Sequence, residues 1–130
     1  MATIVTPANL VAVGAGAAVG AICRWLLGLW LNHSGAFMPW GTLTANFLGA
    51  LIIGVLLGFV LHYAEIPEWL RLMSITGFLG ALTTFSTFSA ETVGLLERGH
   101  YGVALGYVAV SLVGSLLLTA LGLFAVQRLL

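Results

Sequence analysis

The sequence predicts an all-α integral membrane protein with four transmembrane helices in a single domain, residues 1–130. Of its residues, 61% are hydrophobic and 6% are charged, whereas a soluble domain carries about 25% charged residues. Four apolar segments of helical length follow one another, and no linker long enough to divide the chain lies between them. Membrane lipid is therefore the expected surroundings. Four Arg balance four Glu without a basic cluster, which argues against a nucleic-acid partner.

The first two predicted helices span residues 9–31 and 41–63. The first is interrupted only by Arg24, and the second holds one strongly polar residue, Asn46. Charge inside a membrane is costly and is therefore more often functional than charge on a soluble surface. Arg24 is a candidate for handling an ion, and snorkelling toward the end of its helix is the alternative reading.

The third predicted helix, residues 69–97, differs from the others because Ser and Thr recur along it. Gly77 and Gly80, followed by Thr83 and Thr84, weaken a helix in the middle of the membrane, so we predict a break at residues 80–84. Carbonyls freed by a break are ligands for a hard cation, and the amides that start a half-helix are ligands for an anion. The residues alone leave both possibilities open.

The fourth predicted helix, residues 101–126, is apolar except for Ser111, Ser115 and Thr119. Their spacing of four places the hydroxyls in one stripe on one helix face, which we expect to face protein. Small residues four apart also allow helix backbones to approach closely in lipid. This pattern predicts close packing at three glycine pairs: Gly16/Gly20, Gly54/Gly58 and Gly102/Gly106.

Two phenylalanines stand among the hydroxyl groups of the third helix. Phe85 and Phe88 are three residues apart and share one helix face. Packing is the usual role of such residues, but an aromatic ring also has a positive edge that can attract a small anion without trapping it. Asn46 could donate amide hydrogens to the same ion, or form an interhelical hydrogen bond instead. Glu91 is the only acidic residue predicted to lie deeper in the membrane.

The arginines show no bias between the two sides of the membrane. With four spans, Arg71 and Arg128 fall on the side of the termini, and Arg24 and Arg98 fall on the other side. Orientation in the membrane follows the bias of Lys and Arg, so an even distribution predicts insertion in both directions. Copies inserted in opposite directions can pair about a two-fold axis in the membrane plane, which predicts an antiparallel homodimer.

Enzymatic chemistry is not indicated. His33, His62 and His100 fall at predicted helix ends or loops, and their spacing matches no zinc site. The single cysteine, Cys23, cannot form an intrachain disulfide and is expected to pack as a small apolar residue. No acid, base and nucleophile converge, so we predict that the protein is not an enzyme.

At these residues the sequence resembles the Fluc/CrcB family of fluoride channels along nearly its whole length. The resemblance rests on three motifs in a four-span chain: GAICRW at residues 20–25, GTLTAN at 41–46, and TTFSTFS at 83–89 with Glu91 after it. It implies an antiparallel, dual-topology homodimer with two pores in the inner membrane of a bacterium. That dimer would export fluoride passively and confer fluoride resistance.

The resemblance also implies roles for individual residues. Arg24 would lie near a vestibule, and backbone carbonyls of Gly80 and Thr83 would hold a structural sodium ion at the dimer interface. The residues implied along the ion pathway are Asn46, Phe85 and Phe88, with Ser86, Thr87, Ser115, Thr119 and Glu91 as further members.

Two other functions are compatible with a short four-span chain. A proton-coupled exporter of the small multidrug resistance type requires a carboxylate in its first helix, and this chain has none there. A non-transporting structural subunit would use the glycine pairs and serines only to pack against a larger partner.

Overall fold

The structure, a computed structural model, describes residues 4–63 and 65–130. In these residues the chain forms helices and no strands, and four helical stretches are long and apolar enough to cross a membrane. The predicted all-α fold with four transmembrane helices is therefore confirmed. The four stretches are α1 (Pro7–Leu31), α2 (Trp40–His62), a composite third stretch (Glu68–Glu97) and α6 (Tyr101–Leu129).

Side-chain hydrogen bonds fix both ends of α1. At the start of α1, the Thr6 hydroxyl oxygen accepts a hydrogen bond from the Asn9 backbone N–H, and Pro7 occupies the first turn, where it removes no helical hydrogen bond. At the end of α1, the Asn32 side-chain oxygen accepts a hydrogen bond of 2.7 Å from the Gly41 N–H. That bond joins the end of α1 to the first turn of α2 and fixes the hairpin.

The third stretch is composed of four helical pieces. It begins with α3 (Glu68–Arg71), a π-helical segment (Leu72–Leu79) and α4 (Gly80–Leu82), and it ends with α5 (Phe85–Glu97). Between α4 and α5, Thr83 and Thr84 have extended backbones, with φ and ψ of −84° and 154° and of −152° and 123°. This interruption falls inside the predicted range of residues 80–84.

Glycines allow two helix pairs to pack backbone to backbone. Gly16 and Gly20 of α1 lie against the backbone of the third stretch, and a Cβ at Gly20 would collide with the Phe78 carbonyl oxygen. Gly54 of α2 lies in the same way against the Thr119 carbonyl of α6. The third predicted pair differs, because a Cβ at Gly102 or Gly106 would meet no atom of the described chain. The prediction of close packing at Gly102/Gly106 is therefore wrong within one chain.

The buried core of a single chain is small and divided into two clusters. One contains Leu43, Leu95, Ala104 and Tyr107, and joins α2, α5 and α6. The other contains Ala45, Leu79 and Leu82, and joins α2 to the part of the third stretch that precedes the break. Most of the remaining apolar side chains are exposed, as expected of a chain whose solvent is lipid or another protein.

Candidate functional site

Asn46 of α2 holds the break in the third stretch. The Thr84 backbone N–H donates a hydrogen bond of 2.8 Å to the Asn46 side-chain oxygen, and Asn46 Nδ2 donates one of 3.2 Å to the Thr84 carbonyl. The side chain thus satisfies both backbone groups of a residue that no helix includes. Only one of its two amide hydrogens is used, and Asn46 also lines the groove described below.

The hydroxyl groups next to the break cap the start of α5. The Thr84 hydroxyl oxygen accepts a hydrogen bond of 3.1 Å from the Thr87 backbone N–H, donates one of 3.1 Å to the Thr87 hydroxyl, and lies 3.3 Å from Ser86 Oγ. A threonine at this position is a favourable N-cap because it satisfies an otherwise free amide. Of the predicted pathway residues, Ser86 and Thr87 therefore belong to a capping network rather than to the groove wall.

Arg24 also contacts the break, from α1 rather than from α2. Its Nε donates a hydrogen bond of 2.9 Å to the Ala81 carbonyl of α4, and the side chain is half-buried. The Leu79 carbonyl accepts two hydrogen bonds, from the Thr83 N–H at 3.0 Å and from the Thr83 hydroxyl at 2.9 Å. Outside the helices, no hydrogen bond within the described residues reaches the carbonyl oxygen of Gly80, Leu82 or Thr83.

A groove of ≈ 710 Å³ runs past the break along the face formed by α2, the third stretch and α6. Seven of the predicted site residues line it, and none of its lining residues is acidic or basic. These seven residues are Asn46, Gly80, Thr83, Phe85, Phe88, Ser115 and Thr119. The groove therefore offers an amide, hydroxyl groups and aromatic rings without a fixed charge.

The two phenylalanines of the groove have different surroundings. Phe85 is 79% exposed, although it stands at the first position of a transmembrane half-helix. Phe88 is half-buried, with its ring centroid 5.6 Å from that of Phe85 and 5.1 Å from that of Tyr107. The rings of Phe85 and Phe88 are tilted by 47° to each other. Phe88 is thus supported by packing, whereas Phe85 projects into the open groove.

The hydroxyl stripe of α6 is only partly engaged within the chain. Thr119 donates a hydrogen bond of 2.9 Å to the Ala50 carbonyl of α2. Ser111 is buried, and its hydroxyl has no hydrogen-bond partner in the described chain. Ser115 lies between them on the groove wall. The hydroxyl hydrogen of Thr119 is committed to helix packing, while that of Ser111 remains free to serve a ligand.

Glu91 lies outside the groove lining and is held by two hydroxyl groups. Thr42 Oγ1 donates to one of its carboxylate oxygens at 2.7 Å, and Tyr107 Oη donates to the other at 2.7 Å. Both donors are buried, at 5% and 0% exposure. Both carboxylate oxygens of Glu91 are therefore engaged by hydroxyl donors. Because the Tyr107 ring also contacts the Phe88 ring, at a tilt of 55°, this triad is connected to the groove through one ring contact.

Sequence reasoning missed Thr42, Ser111 and Tyr107 as site residues, although a signal for each was present. Tyr107 lies four residues before Ser111 and extends the same α6 stripe by one turn. Thr42 lies four residues before Asn46 on α2 and so shares its helix face. Extending each polar stripe by one more step would have found the residues that hold Glu91.

Groups that could support metal or acid-base chemistry are not brought together. Among the described residues, no cluster of three or more His, Cys, Asp or Glu could hold a metal ion. His33 lies in the loop after α1, His62 ends α2 and His100 precedes α6, as predicted. Cys23 is half-buried in α1. The only polar constellation in the described membrane region is therefore the break, its groove and the Glu91 triad.

Comparison with known proteins gives a consistent result. Residues 11–123 match the family model described as CrcB-like protein, Camphor Resistance (CrcB). The chain is 59% identical over 129 residues to a fluoride-specific ion channel FluC of Bordetella petrii, covering 99% of each chain. It is 56% identical over 124 residues to the FluC of Bordetella pertussis, covering 95% of each chain. The FluC of Chromohalobacter salexigens is 55% identical over 116 residues, or 88% of this chain and 87% of that protein.

Proposed function

Because the chain belongs to the CrcB family, we propose that it is a fluoride-selective channel that lets cytoplasmic fluoride leave the cell passively. It is a multi-pass membrane protein of a bacterium, and the family is one of ion channels rather than enzymes. The inner membrane is its proposed location. Fluoride resistance follows, because an open path for the anion lowers its concentration in the cytoplasm.

The observation that carries this proposal is the uncharged groove at the break. Fluoride is small and strongly hydrated, so a path through the membrane must replace its water with hydrogen-bond donors and favourable dipoles. Asn46 and Ser111 line the groove, Asn46 Nδ2 makes one hydrogen bond, and the Ser111 hydroxyl makes none within the described chain. The exposed ring of Phe85 adds a positive edge. No carboxylate lines the groove to repel an anion.

Glu91 is proposed to stand at the far end of the path rather than beside the rings. Both of its carboxylate oxygens accept hydrogen bonds from hydroxyl groups, those of Thr42 and Tyr107, and Glu91 does not line the groove. The contact between the tilted rings of Tyr107 and Phe88 sets the position of the triad relative to the groove. A change in this hydrogen bonding would also change how Phe88 is supported, which links the triad to conduction.

The channel is proposed to be an antiparallel homodimer with two pores. The groove is open along one face of the chain, with Leu112, Leu116 and Phe85 exposed beside it, so one chain does not enclose an ion path. A second copy laid against that face would close the groove and bury the exposed apolar side chains. The even distribution of arginines across the membrane supports copies of opposite orientation. An antiparallel pair about a two-fold axis contains two equivalent grooves.

A structural sodium ion at the dimer interface is also proposed. Gly80 and Thr83 line the groove, and outside the helices no hydrogen bond from the described chain reaches their carbonyl oxygens, whereas the nearby Leu79 and Ala81 carbonyls accept side-chain hydrogen bonds. Carbonyl oxygens are suitable ligands for a hard cation. These two residues would hold the ion. Bound at the interface, it would link the break of one copy to the break of the other.

Two rival functions have less support. A proton-coupled exporter of the small multidrug resistance type would need a carboxylate in its first helix, and α1 contains none. Glu91 is already engaged by two hydroxyl groups. A structural subunit without transport would give no reason for the uncharged groove. The family of channels to which the chain belongs favours transport instead.

The proposal is tested by fluoride release from liposomes that contain only this protein. Efflux is read with a fluoride electrode, and chloride-loaded liposomes serve as the ion control. We expect rapid fluoride release with negligible chloride release, and no dependence on a proton gradient. Absence of release from a monodisperse, folded protein would contradict the channel and favour the structural subunit, while release driven by a proton gradient would favour the exporter.

A variant identifies the groove as the path. We expect Phe85→Ile together with Phe88→Ile to abolish fluoride release, because isoleucine retains apolar bulk without a ring edge. Size-exclusion chromatography should show an unchanged elution volume. Phe124→Ile, on an exposed part of α6 outside the groove, is the matched control and should conduct normally. Normal flux in the double variant would remove the aromatic rings from the mechanism.

A further inference from the structure

Arg24 contacts the break in an unusual way for a charge inside a membrane. It lies about 10 Å along the axis of α1 from the helix end at Leu31. In the described chain it forms no ion pair with a carboxylate, and its hydrogen bond runs from Nε to the Ala81 carbonyl at 2.9 Å. Ala81 lies next to Gly80 and two residues before Thr83. The side chain thus holds the backbone between the two proposed sodium ligands.

The identity of the donating atom separates two roles for this residue. A vestibule or ion-attracting role depends on the positive charge, which is shared by the whole guanidinium group. The contact with Ala81 depends on a single N–H at the ε position of the side chain. Glutamine carries an N–H donor at the same number of bonds from the backbone and has no charge. Lysine keeps the charge but has carbon at that position, and its amine lies one bond farther out.

We infer that Arg24 is a positioning residue for the break, acting through the Nε hydrogen bond to Ala81 and not through its charge. The carbonyls at the end of a half-helix lack helical partners and must be satisfied from elsewhere. Thr83 satisfies Leu79, and Arg24 satisfies Ala81. With these two fixed, the backbone of Gly80 and Thr83, which line the groove, is held in place. The clamp comes from α1, so it also fixes α4 relative to the helix on which it packs.

Loss of the clamp has a defined physical consequence. Without a donor, the Ala81 carbonyl would be unsatisfied in the membrane, and the short α4 would gain freedom to rotate or fray. The orientation of the Gly80 and Thr83 carbonyls would then vary. We expect weaker sodium binding and lower fluoride flux as a result, and this part of the inference rests on the proposed function.

The test compares Arg24→Gln, Arg24→Lys and Arg24→Met in the full-length protein. Amide hydrogen exchange of peptides that cover residues 79–88 reports on the break without requiring transport. Fluoride release from liposomes is measured alongside it, at a series of sodium concentrations with N-methylglucamine as the replacing cation. For Gln we expect exchange like that of the unaltered protein and flux within about threefold of it, since the donor is retained. For Lys and Met we expect faster exchange and at least about tenfold lower flux.

Each result decides the question. If the Lys variant keeps the flux and the exchange rate of the unaltered protein and the Gln variant does not, the inference is overturned and the charge is the essential feature. Unaltered exchange in all three variants would also overturn it. If Met does not fold, the contrast between Gln and Lys still separates the two roles. If the unaltered protein releases no fluoride, the proposed channel function fails by itself, and the exchange data alone confirm or refute the clamp.

Discussion

The two halves of the third transmembrane stretch are built in opposite ways. Residues 68–82, here called the anchored half, lie against α1 so closely that Gly16, Gly20 and Gly77 leave no room for a side chain. The open half, α5 (Phe85–Glu97), has one buried residue, Leu95, and begins with a phenylalanine that is 79% exposed. Extended backbone at Thr83 and Thr84 separates them.

This difference shows how a short chain can hold a polar site inside a membrane. Backbone packing through glycine is dense and does not require polar side chains, so the anchored half gives the break a rigid support. The open half then leaves its aromatic and hydroxyl groups available to an ion or to a second copy of the chain. A site of this kind needs both halves, and substitutions that affect only one should give separable effects on folding and on flux.

The largest effect is expected at the anchored half. Gly20→Val adds a branched side chain where a Cβ would already collide with the Phe78 carbonyl, and we expect a loss of stability of about 3 kcal/mol or failure to fold. Gly14→Val on the same helix is the matched control, because a Cβ at Gly14 meets no described atom within 4 Å. Thermal unfolding and monodisperse yield in detergent measure both. Equal yields and unfolding temperatures would contradict the importance of the anchored half.

The next effect is expected at the junction between the halves. Asn46→Leu removes both hydrogen bonds to Thr84, and we expect a destabilisation of about 2 kcal/mol because a backbone donor and acceptor lose their partners. Asn46→Asp keeps an acceptor for the Thr84 N–H but places a second carboxylate oxygen against the Thr84 carbonyl, so its loss of stability should be at least as large. Its negative charge in the groove should also abolish fluoride release. Similar flux in the Asp variant and the unaltered protein would exclude the amide from the ion path.

The contrast between the halves also explains which features could be predicted from the sequence alone. Four spans and the location of the break follow from hydropathy and from the glycine and threonine pairs, because these features are local. The pairing of Asn46 with Thr84 and of Arg24 with Ala81 joins residues that are 38 and 57 positions apart. No periodicity encodes such contacts. Gly102 and Gly106 illustrate the reverse case, since a local pattern of close packing has no partner in the described chain.

A moderate effect is expected where the open half meets α6. Tyr107→Phe removes the hydrogen bond to Glu91 but preserves the ring that packs against Phe88, and we expect a loss of stability of about 1 kcal/mol. Fluoride release should decrease while the elution volume stays unchanged. Tyr101→Phe is the matched control, since Tyr101 is 64% exposed at the start of the same helix. An identical response of the two variants would mean that the triad has no special role.

The smallest effects are expected along the α6 stripe, where they separate packing from ion contact. Thr119→Val removes the hydrogen bond to the Ala50 carbonyl, and we expect a loss of about 0.6 kcal/mol, the usual value for such bonds between membrane helices. Ser111→Ala removes a buried hydroxyl that has no partner in the described chain, so stability should be unchanged or slightly increased. Fluoride release should show the opposite order, with the larger decrease in Ser111→Ala, because only that hydroxyl is free to donate to an ion. A loss of flux that instead follows the loss of stability would assign the whole stripe to helix packing, and would leave the break and its two phenylalanines as the only contacts for the anion.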